Sequence, residues 1–158
     1  LQLARSYMIF ARDGDIIPLS FQKVTEPPVG QQVISPQTAR QMRMMLESVV
    51  GPEGTASKAQ VPGYRVGGKT GTAQKLINGR YSNNRNVGSF VGIAPMSNPR
   101  FIIAVMLDDV SGVYRTGGWV AAPTFAALAA NALRAANVPP DSTVTDIIIP
   151  ENPLEDSL

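Results

Sequence analysis

Four consecutive residues, Lys69-Thr70-Gly71-Thr72, combine side chains that could carry out chemistry. If they form a strand, the side chains alternate, so the hydroxyls of Thr70 and Thr72 point to one face, about 6.8 Å apart. Two hydroxyls on one face suit a carboxylate, which accepts several hydrogen bonds. Lys69 points to the other side, and its long stem can place the ammonium beside a neighbouring hydroxyl and add positive potential.

The backbone of the same four residues is a second source of chemistry. Gly71 leaves one strand position without a side chain, which often marks the close approach of a ligand or of another backbone. If the strand lies at the edge of a sheet, the free N–H of Thr72 can face a developing oxyanion. An ordinary strand end with a solvated lysine has the same four residues, so the tetrapeptide alone leaves both interpretations open.

Composition limits the chemistry in which these residues can take part. The chain has 158 residues, of which 44% are hydrophobic and 16% are charged, which fits one folded domain or a large part of one. It contains no histidine and no cysteine, so acid–base work falls to Lys, Tyr, Asp or Glu. The net charge is +2 and the basic residues are scattered, which argues against nucleic-acid binding. We predict no metal site and no cofactor, and the longest apolar runs are far shorter than the roughly 20 residues of a membrane span.

Two helices are predicted before the tetrapeptide. Residues 1–14 predict a helix with Gly14 as its C-cap. The apolar stripe of this helix consists of Leu1, Ala4, Met8 and Ala11. A second helix is predicted to begin at Ser35, a favourable N-cap, with Pro36 in the first helical position, and to end at Gly51. Its predicted buried face consists of Ala39, Met42, Leu46 and Val49.

Three strands are predicted next, over about residues 64–76, 86–95 and 100–110. Asn78-Gly79 is a strong hairpin signal between the first two. The connections are short, so the three strands are expected to form an antiparallel meander. The third strand is an almost continuous apolar run, which is typical of a strand that is buried on both faces.

The end of the chain predicts one long helix and a tail. Residues 117–137 are rich in alanine, and Pro123 falls near the first turn, where proline is tolerated. The last ~20 residues carry Pro139, Pro140, Pro150 and Pro153 and an acidic end, and we predict a partly ordered tail at residues 141–158 after a domain portion at residues 1–140. The whole pattern predicts an α+β fold with an antiparallel sheet flanked by helices, as one side of a larger domain.

The order of these elements resembles the C-terminal part of the penicillin-binding transpeptidase domain. The segments that carry the resemblance are "EGTASKAQVPGYRVGGKTGTAQK", then "SFVGIAP", a hydrophobic strand, two glycines and "VAAPTFAALAANALR". The segments "LQLARSY" and "VISPQTARQMRMMLESVV" resemble the helices before the third motif of that family. The resemblance covers about residues 1–140 and is strongest to class B penicillin-binding proteins, in particular the septal peptidoglycan D,D-transpeptidase of Gram-negative bacteria.

The resemblance implies a serine acyl-transfer mechanism. The family carries Ser-x-x-Lys, Ser-x-Asn and Lys-Thr/Ser-Gly motifs. Its first serine attacks the D-Ala-D-Ala bond of a peptidoglycan stem peptide, and the amine of a second stem peptide resolves the acyl-enzyme into a cross-link. β-Lactams mimic the substrate and leave a slow acyl-enzyme. By this resemblance Lys69 is the third-motif lysine, Thr70, Gly71 and Thr72 bind the substrate at its terminal carboxylate, and the N–H of Thr72 is half of the oxyanion hole.

The first two motifs are not found at matching positions. Ser20 and Lys23 fit Ser-x-x-Lys, but prolines flank them, whereas the motif needs a helix N-terminus that places the lysine one turn beyond the serine. They are also too close to Lys69 for this family. "SNN" at residues 82–84 fits Ser-x-Asn but follows the third motif and is predicted to lie in a hairpin turn. We therefore expect the nucleophile to lie upstream of Leu1 and the isolated chain to be inactive.

Two further candidates are a tyrosine after the third predicted strand and a pair of aspartates at the end of that strand. Tyr114 precedes Gly117 and Gly118, where division transpeptidases often have an aromatic pair, and it either lines the substrate cleft or is a surface-loop tyrosine. Asp108 and Asp109 look like a catalytic carboxylate pair. Adjacent strand residues point to opposite faces, however, so we predict that these two are structural.

Two other functions remain open on the sequence. A serine β-lactamase-like hydrolase shares the third motif, although the loop at residues 51–63 and the tail favour the transpeptidase. A non-catalytic penicillin-sensing or partner-binding domain is the other alternative, because the nucleophile is expected outside the chain. The partners that the resemblance implies are D-Ala-D-Ala stem peptides, β-lactams, the upstream half of the same domain and division proteins. The implied location is the periplasm, with an N-terminal anchor on the parent protein.

Overall fold

The computed structural model describes residues 1–26 and 28–147, which form an α+β fold around a three-stranded antiparallel sheet. The helices are α1 (Gln2–Ala11), α2 (Pro36–Ser48), α3 (Gly117–Val120) and α4 (Ala122–Ala135), with a short 3-10 helix at Ser57–Ala59. The strands are β1 (Asp15–Ile16), β2 (Gln31–Gln32), β3 (Gly67–Ile77), β4 (Arg80–Ala94) and β5 (Phe101–Ser111). The main sheet has the order β3-β4-β5, and β1 pairs with β2 separately. The predicted fold class and the meander are confirmed.

Helix α1 packs through a stripe that shares only Ala11 with the predicted one. Leu1 is 72% exposed, so it does not belong to a buried face. Tyr7, Phe10 and Ala11 instead pack against a small cluster formed by Leu46, Ile93 and Met96. The two aromatic rings offer the larger apolar area, and they meet edge to face with their centroids 5.9 Å apart. The aromatic residues Tyr7 and Phe10, and not Leu1, therefore face the cluster.

The end of α1 also differs in detail from the prediction. The helix ends at Ala11, and Asp13 is the first residue in the left-handed region, with φ 52°. Gly14 follows with φ 92°, and its N–H donates to the carbonyl of Ile9 at 2.7 Å. Gly14 therefore closes the helix end, but one residue after an aspartate that already reversed the chain.

Helix α2 begins as predicted. The Ser35 side chain accepts a hydrogen bond from the N–H of Thr38 at 3.1 Å, and Pro36 occupies the first turn. Ala39 and Leu46 are buried, whereas the other two residues of the predicted face, Met42 and Val49, are partly buried. The helix ends at Ser48, just before the predicted stop.

Replacing Ser35 with alanine is expected to destabilise α2 by about 1 kcal/mol, because the N–H of Thr38 loses its acceptor. The loss should appear as faster amide hydrogen exchange in the first turn of α2 and a lower melting temperature of the full-length protein. Ser48 is a matched control at the other end of the helix, since its hydroxyl donates to the Met45 carbonyl and caps no N–H of the first turn. Ser48→Ala should change stability by less than about 0.5 kcal/mol. Equal losses in both variants would contradict the capping role.

The hairpin between β3 and β4 turns where it was predicted to turn. Asn78 and Gly79 have φ values of 51° and 78°, as a tight hairpin turn requires. Strand β4 is longer than predicted, because it begins at Arg80 directly after the turn. The hairpin end, residues 80–84 of β4 with the end of β3, forms a two-stranded extension, because the pairing of β4 with β5 starts only at Arg85.

The strand that is buried on both faces is β4, not β5. Five consecutive residues of β4, Phe90–Ala94, are buried, whereas Val105 is the single buried residue of β5. The prediction for the third strand was therefore wrong. Within the described residues β4 lies between its two neighbours and β5 lies at an edge, and a run of apolar residues does not reveal which strand is central.

The predicted long C-terminal helix is divided into α3 and α4. The break lies at Ala121, and Pro123 occupies the first turn of α4. Proline has no N–H and its ring clashes with the carbonyl four residues before it, which prevents one continuous helix through residues 119–123. Helix α4 then covers the sheet with Phe125, whose ring lies 4.8 Å from that of Phe90. Other fully buried α4 residues are Ala122, Ala129 and Leu133.

The segment after α4 is attached to the loop before β3. The N–H of Arg65 donates to the Asp141 carboxylate at 2.7 Å, and the Ser97 hydroxyl donates to the same carboxylate at 2.6 Å. The N–H of Gly63 donates to the carbonyl of Val144 at 2.9 Å. The rest of the predicted tail, residues 148–158, lies outside the described residues. Within the described part of the chain, no helix has both the length and the apolar character needed to cross a membrane.

Candidate functional site

The Lys69 side chain folds back along β3 towards the hydroxyl of the next residue. Its Nζ lies 3.2 Å from Thr70 Oγ1 and 3.3 Å from the Thr70 carbonyl oxygen. Lys69 itself is exposed, whereas Thr70 is only 9% exposed. The expected contact between the ammonium and a neighbouring hydroxyl is confirmed. This geometry places a positive charge beside a buried hydroxyl at the edge of the sheet.

Thr70 also contacts Thr55, a residue that no sequence pattern indicated. Its Oγ1 lies 3.2 Å from Thr55 Oγ1, and Thr55 belongs to the loop between α2 and β3. The Thr70 hydroxyl therefore has an ammonium and a second hydroxyl as neighbours. Thr55 lies in an irregular loop 15 residues before its partner, and no periodicity or motif links the two positions.

Thr72 lies against the N-terminus of helix α3. The N–H of Gly117 donates to Thr72 Oγ1 at 3.1 Å. The hydroxyl proton of Thr72 stays available, because a hydroxyl can accept this bond and still donate one of its own. Thr70 is on the same side, since a Cβ added at Gly118 would lie 3.5 Å from Thr70 Cγ2. The two hydroxyls therefore share a face, as the alternation of a strand predicts.

Glycines allow α3 to approach the backbone of two strands. A Cβ added at Gly117 would lie 2.2 Å from the Ser89 carbonyl oxygen and 2.6 Å from the Gly71 carbonyl oxygen. A Cβ added at Gly71 would lie 2.5 Å from Ser89 Oγ. The predicted close approach at Gly71 is thus confirmed, and the approaching groups are Ser89 and the backbone of α3.

Strand β3 lies at one edge of the main sheet. Within the described residues it pairs only with β4, in an antiparallel register that places Thr70 opposite Phe90 and Thr72 opposite Gly88. The other side of β3 therefore carries backbone groups that β4 does not use. The Thr72 N–H can face an oxyanion only from an edge strand, and β3 is one. The role of this N–H in an oxyanion hole remains a prediction.

Tyr114 is exposed on the loop that leads into α3. It is 61% exposed, and its ring centroid lies 4.3 Å from that of Trp119. The ammonium of Lys58 lies 4.3 Å from the Trp119 ring centroid. Tyr114 is therefore the exposed member of a group of two aromatic rings and a cation, close in sequence to Gly117. Its role in lining a cleft remains a prediction.

Asp108 and Asp109 do not point to opposite faces, so the geometric argument for their separation was wrong. The register between β4 and β5 shifts at this point, which places two residues of β5 opposite one of β4. Both carboxylates consequently reach Lys75, at 2.9 Å from Asp108 and 3.6 Å from Asp109. The hydrogen bond from Lys75 lowers the pKa of Asp108 and raises the pKa of Lys75. Asp109 also pairs with Arg85 at 2.9 Å, so both residues belong to an exposed ion-pair group.

The two rejected motifs lie in an irregular segment and in strand β4. Ser20 Oγ accepts from the N–H of Gln22 at 3.0 Å within an irregular segment, not at the start of a helix. Ser82 Oγ lies 3.0 Å from Asn84 Oδ1 in the exposed part of β4, not in the turn itself as was predicted. Neither pair contacts Lys69 through a hydrogen bond within the described residues.

A cavity of about 290 Å³ lies elsewhere in the molecule. Apolar side chains form most of its wall, and the ion pair of Arg65 with Glu47, at 2.7 Å, borders it. None of residues 69–72 lines this cavity. In the described part of the chain, no group of three or more acidic side chains could hold a metal ion.

Comparisons of this chain with known proteins find transpeptidases. The family model for the penicillin-binding protein transpeptidase domain matches residues 1–130. The chain is 42% identical over 146 residues to the "Probable peptidoglycan D,D-transpeptidase PenA" of Neisseria flavescens, which covers 92% of this chain and 36% of that protein. It is 40% identical over 146 residues to the "Peptidoglycan D,D-transpeptidase FtsI" of Escherichia coli K12, which covers 92% of this chain and 25% of that protein.

A solved structure has the same fold. The apo transpeptidase domain of penicillin-binding protein 3 from Burkholderia pseudomallei matches with a TM-score of 0.82 and 49% identity, over 89% of this chain and 43% of that one. The chain spans between 25% and 36% of the length of the two curated relatives named above.

Proposed function

The chain belongs to the penicillin-binding protein transpeptidase family, and from this premise we propose that it forms one wall of the acylation site of a peptidoglycan D,D-transpeptidase. The observation that carries the proposal is the contact of the Lys69 ammonium with the buried Thr70 hydroxyl on an edge strand, with Thr72 beside them on the same face. Such an arrangement offers positive charge and hydroxyl donors on one side of an extended ligand.

The reaction that we propose for the parent protein is acyl transfer. A serine oxygen adds to the carbonyl carbon of the D-Ala-D-Ala bond, the C–N bond breaks, and the departing D-alanine amine takes the serine proton. The amine of a second stem peptide then attacks the ester and restores the serine hydroxyl. With a β-lactam, the same addition opens the lactam ring and leaves a long-lived ester.

Each of the four residues has a role in this proposal. Thr70 and Thr72 donate their hydroxyl protons to the terminal carboxylate of the substrate, and Gly71 keeps the strand free of a side chain between them. Lys69 supports the proton transfer and stabilises negative charge near the serine. The N–H of Thr72 donates to the oxyanion that forms at the attacked carbonyl. Tyr114 lines the cleft beyond these groups.

The acylated serine belongs, in this proposal, to a part of the parent protein outside residues 1–147. The turn around Ser20 supports this, because it lacks the helix on which a lysine would follow one turn later. We further propose that the parent works in the periplasm, is anchored in the inner membrane and acts with division proteins. The isolated chain should then be inactive.

The test is labelling of the full-length protein with a fluorescent penicillin, followed by intact mass measurement and peptide mapping. We expect one adduct on a serine outside residues 1–147 and unchanged labelling of the control variant Ser20→Ala. An adduct on Ser20 would overturn the assignment of the nucleophile. No adduct on a folded protein would overturn the enzymatic proposal in favour of a binding domain, and fast release of hydrolysed penicillin would identify a hydrolase.

A further inference from the structure

Thr55 holds a position that nothing in the proposed mechanism uses. Its Oγ1 lies 3.2 Å from Thr70 Oγ1, the hydroxyl oxygen that also accepts a hydrogen bond from the Lys69 ammonium. We infer that Thr55 is a positioning residue that directs the hydroxyl proton of Thr70 towards the carboxylate of the ligand. This inference rests on the proposed function, because the ligand carboxylate is assigned to Thr70 there.

The argument begins with the hydrogen-bonding capacity of the Thr70 hydroxyl. A hydroxyl has one proton to donate and two lone pairs that accept. An ammonium only donates, so the contact with Lys69 Nζ at 3.2 Å occupies one lone pair of Thr70 Oγ1. One lone pair and the proton remain, and the contact with Thr55 can use either of them.

The two possible directions of the Thr55–Thr70 bond have different consequences. If Thr70 donates to Thr55, its single proton is used inside the protein. If Thr55 donates to Thr70, both lone pairs of Thr70 are filled, and the proton must point away from both neighbours. A carboxylate ligand accepts and cannot donate, so it requires the second direction. By donating to Thr70, Thr55 fixes the rotation of the Thr70 hydroxyl, so that its one proton points towards the ligand.

The backbone around Thr55 is held on two sides. The N–H of Ala56 donates to the carbonyl of Val49 at 3.0 Å, and Ala56 is 1% exposed. On the other side, the Thr55 carbonyl lies so close to Gly118 that a Cβ there would be 2.1 Å from its oxygen. The loop is thus fixed between the end of α2 and the start of α3, and these contacts keep the Thr55 hydroxyl next to Thr70.

The test compares variants of Thr55 with two ligands on the full-length protein. Thr55→Val keeps the shape and removes the hydroxyl, and Thr55→Ser keeps the hydroxyl. With benzylpenicillin, Thr55→Val should raise the concentration for half-maximal acylation about fivefold and leave the limiting rate unchanged, because the carboxylate is bound equally before and during the reaction. With benzylpenicillin methyl ester, which has no carboxylate, Thr55→Val should have no effect. Thr55→Ser should behave as wild type with both ligands.

A background variant tests whether Thr55 acts through Thr70. In Thr70→Val, adding Thr55→Val should cause no further loss with benzylpenicillin. Equal losses with the acid and the ester, or additive losses in the double variant, would overturn the inference. If Thr55→Val melts well below wild type, Thr55→Ala supplies a second hydroxyl-free variant for the same comparison. Failure of the wild-type protein to be acylated would instead refute the proposed function, so the two failures are distinguishable.

Discussion

Lys69→Ala in the full-length protein is expected to slow acylation by benzylpenicillin about 100-fold or more and to leave the melting temperature nearly unchanged. The rate should fall because the ammonium is the one cation in hydrogen-bond contact with Thr70 among the described residues. Stability should be preserved because the Lys69 side chain is exposed and belongs to no ion pair in the described part of the chain. Stopped-flow acylation kinetics and thermal denaturation measure the two quantities.

Lys75→Ala is the matched control on the same strand. Lys75 pairs with Asp108 at 2.9 Å in the ion-pair group near the far end of β3 and contacts none of residues 69–72 through a hydrogen bond. Its removal should leave acylation unchanged and lower stability by less than about 1 kcal/mol, as is usual for a surface ion pair. Unchanged acylation in Lys69→Ala, or an equal loss in Lys75→Ala, would remove the role that we assign to Lys69.

Gly117→Ala should destabilise the protein by about 3 kcal/mol and reduce acylation about 100-fold. The added Cβ would lie 2.2 Å from the Ser89 carbonyl oxygen and 2.6 Å from the Gly71 carbonyl oxygen. Both atoms belong to the backbone of paired strands and cannot turn aside, so α3 would have to move away from the sheet. That movement breaks the hydrogen bond from the Gly117 N–H to Thr72 Oγ1. Thermal denaturation and penicillin acylation are the measurements.

Gly79→Ala separates this steric effect from the ordinary cost of replacing a glycine. Gly79 has φ 78° in the hairpin turn, and a Cβ there would have no atom within 4 Å. Alanine at this position should cost about 1 kcal/mol because of the left-handed backbone alone, without any effect on acylation. If Gly117→Ala melts and reacts like wild type, α3 is not held against the sheet as the structure indicates.

The features that were predicted correctly depend on residues close together in the chain. The Ser35 cap and the Asn78-Gly79 turn each rest on a few neighbouring residues whose backbone preferences are strong. The antiparallel order of the three strands followed from the short connections between them. The alternation of a strand likewise placed Thr70 and Thr72 on one face.

The features that were predicted incorrectly depend on what each segment meets in space. β5 was expected to be buried on both faces. Instead β4 is the buried strand, because it lies between β3 and β5 in the sheet. Alternation failed at Asp108 and Asp109 because the bulge arises from the pairing of two strands, not from either strand alone. Helix α1 presents Tyr7 and Phe10 because α2 and β4 provide a surface that those rings fill.

By itself, the sequence determined the types of the main elements, the Ser35 cap, the Asn78-Gly79 turn, and the four residues Lys69–Thr72 as the candidate wall of a site. Local backbone preference and side-chain alternation act over a few residues, so they can be read along the chain. Only the tertiary structure decided that Thr55 and Gly117 are the partners of Thr70 and Thr72. Those contacts join residues 15 and 45 positions apart, and they form only when the loop, the edge strand and α3 pack together.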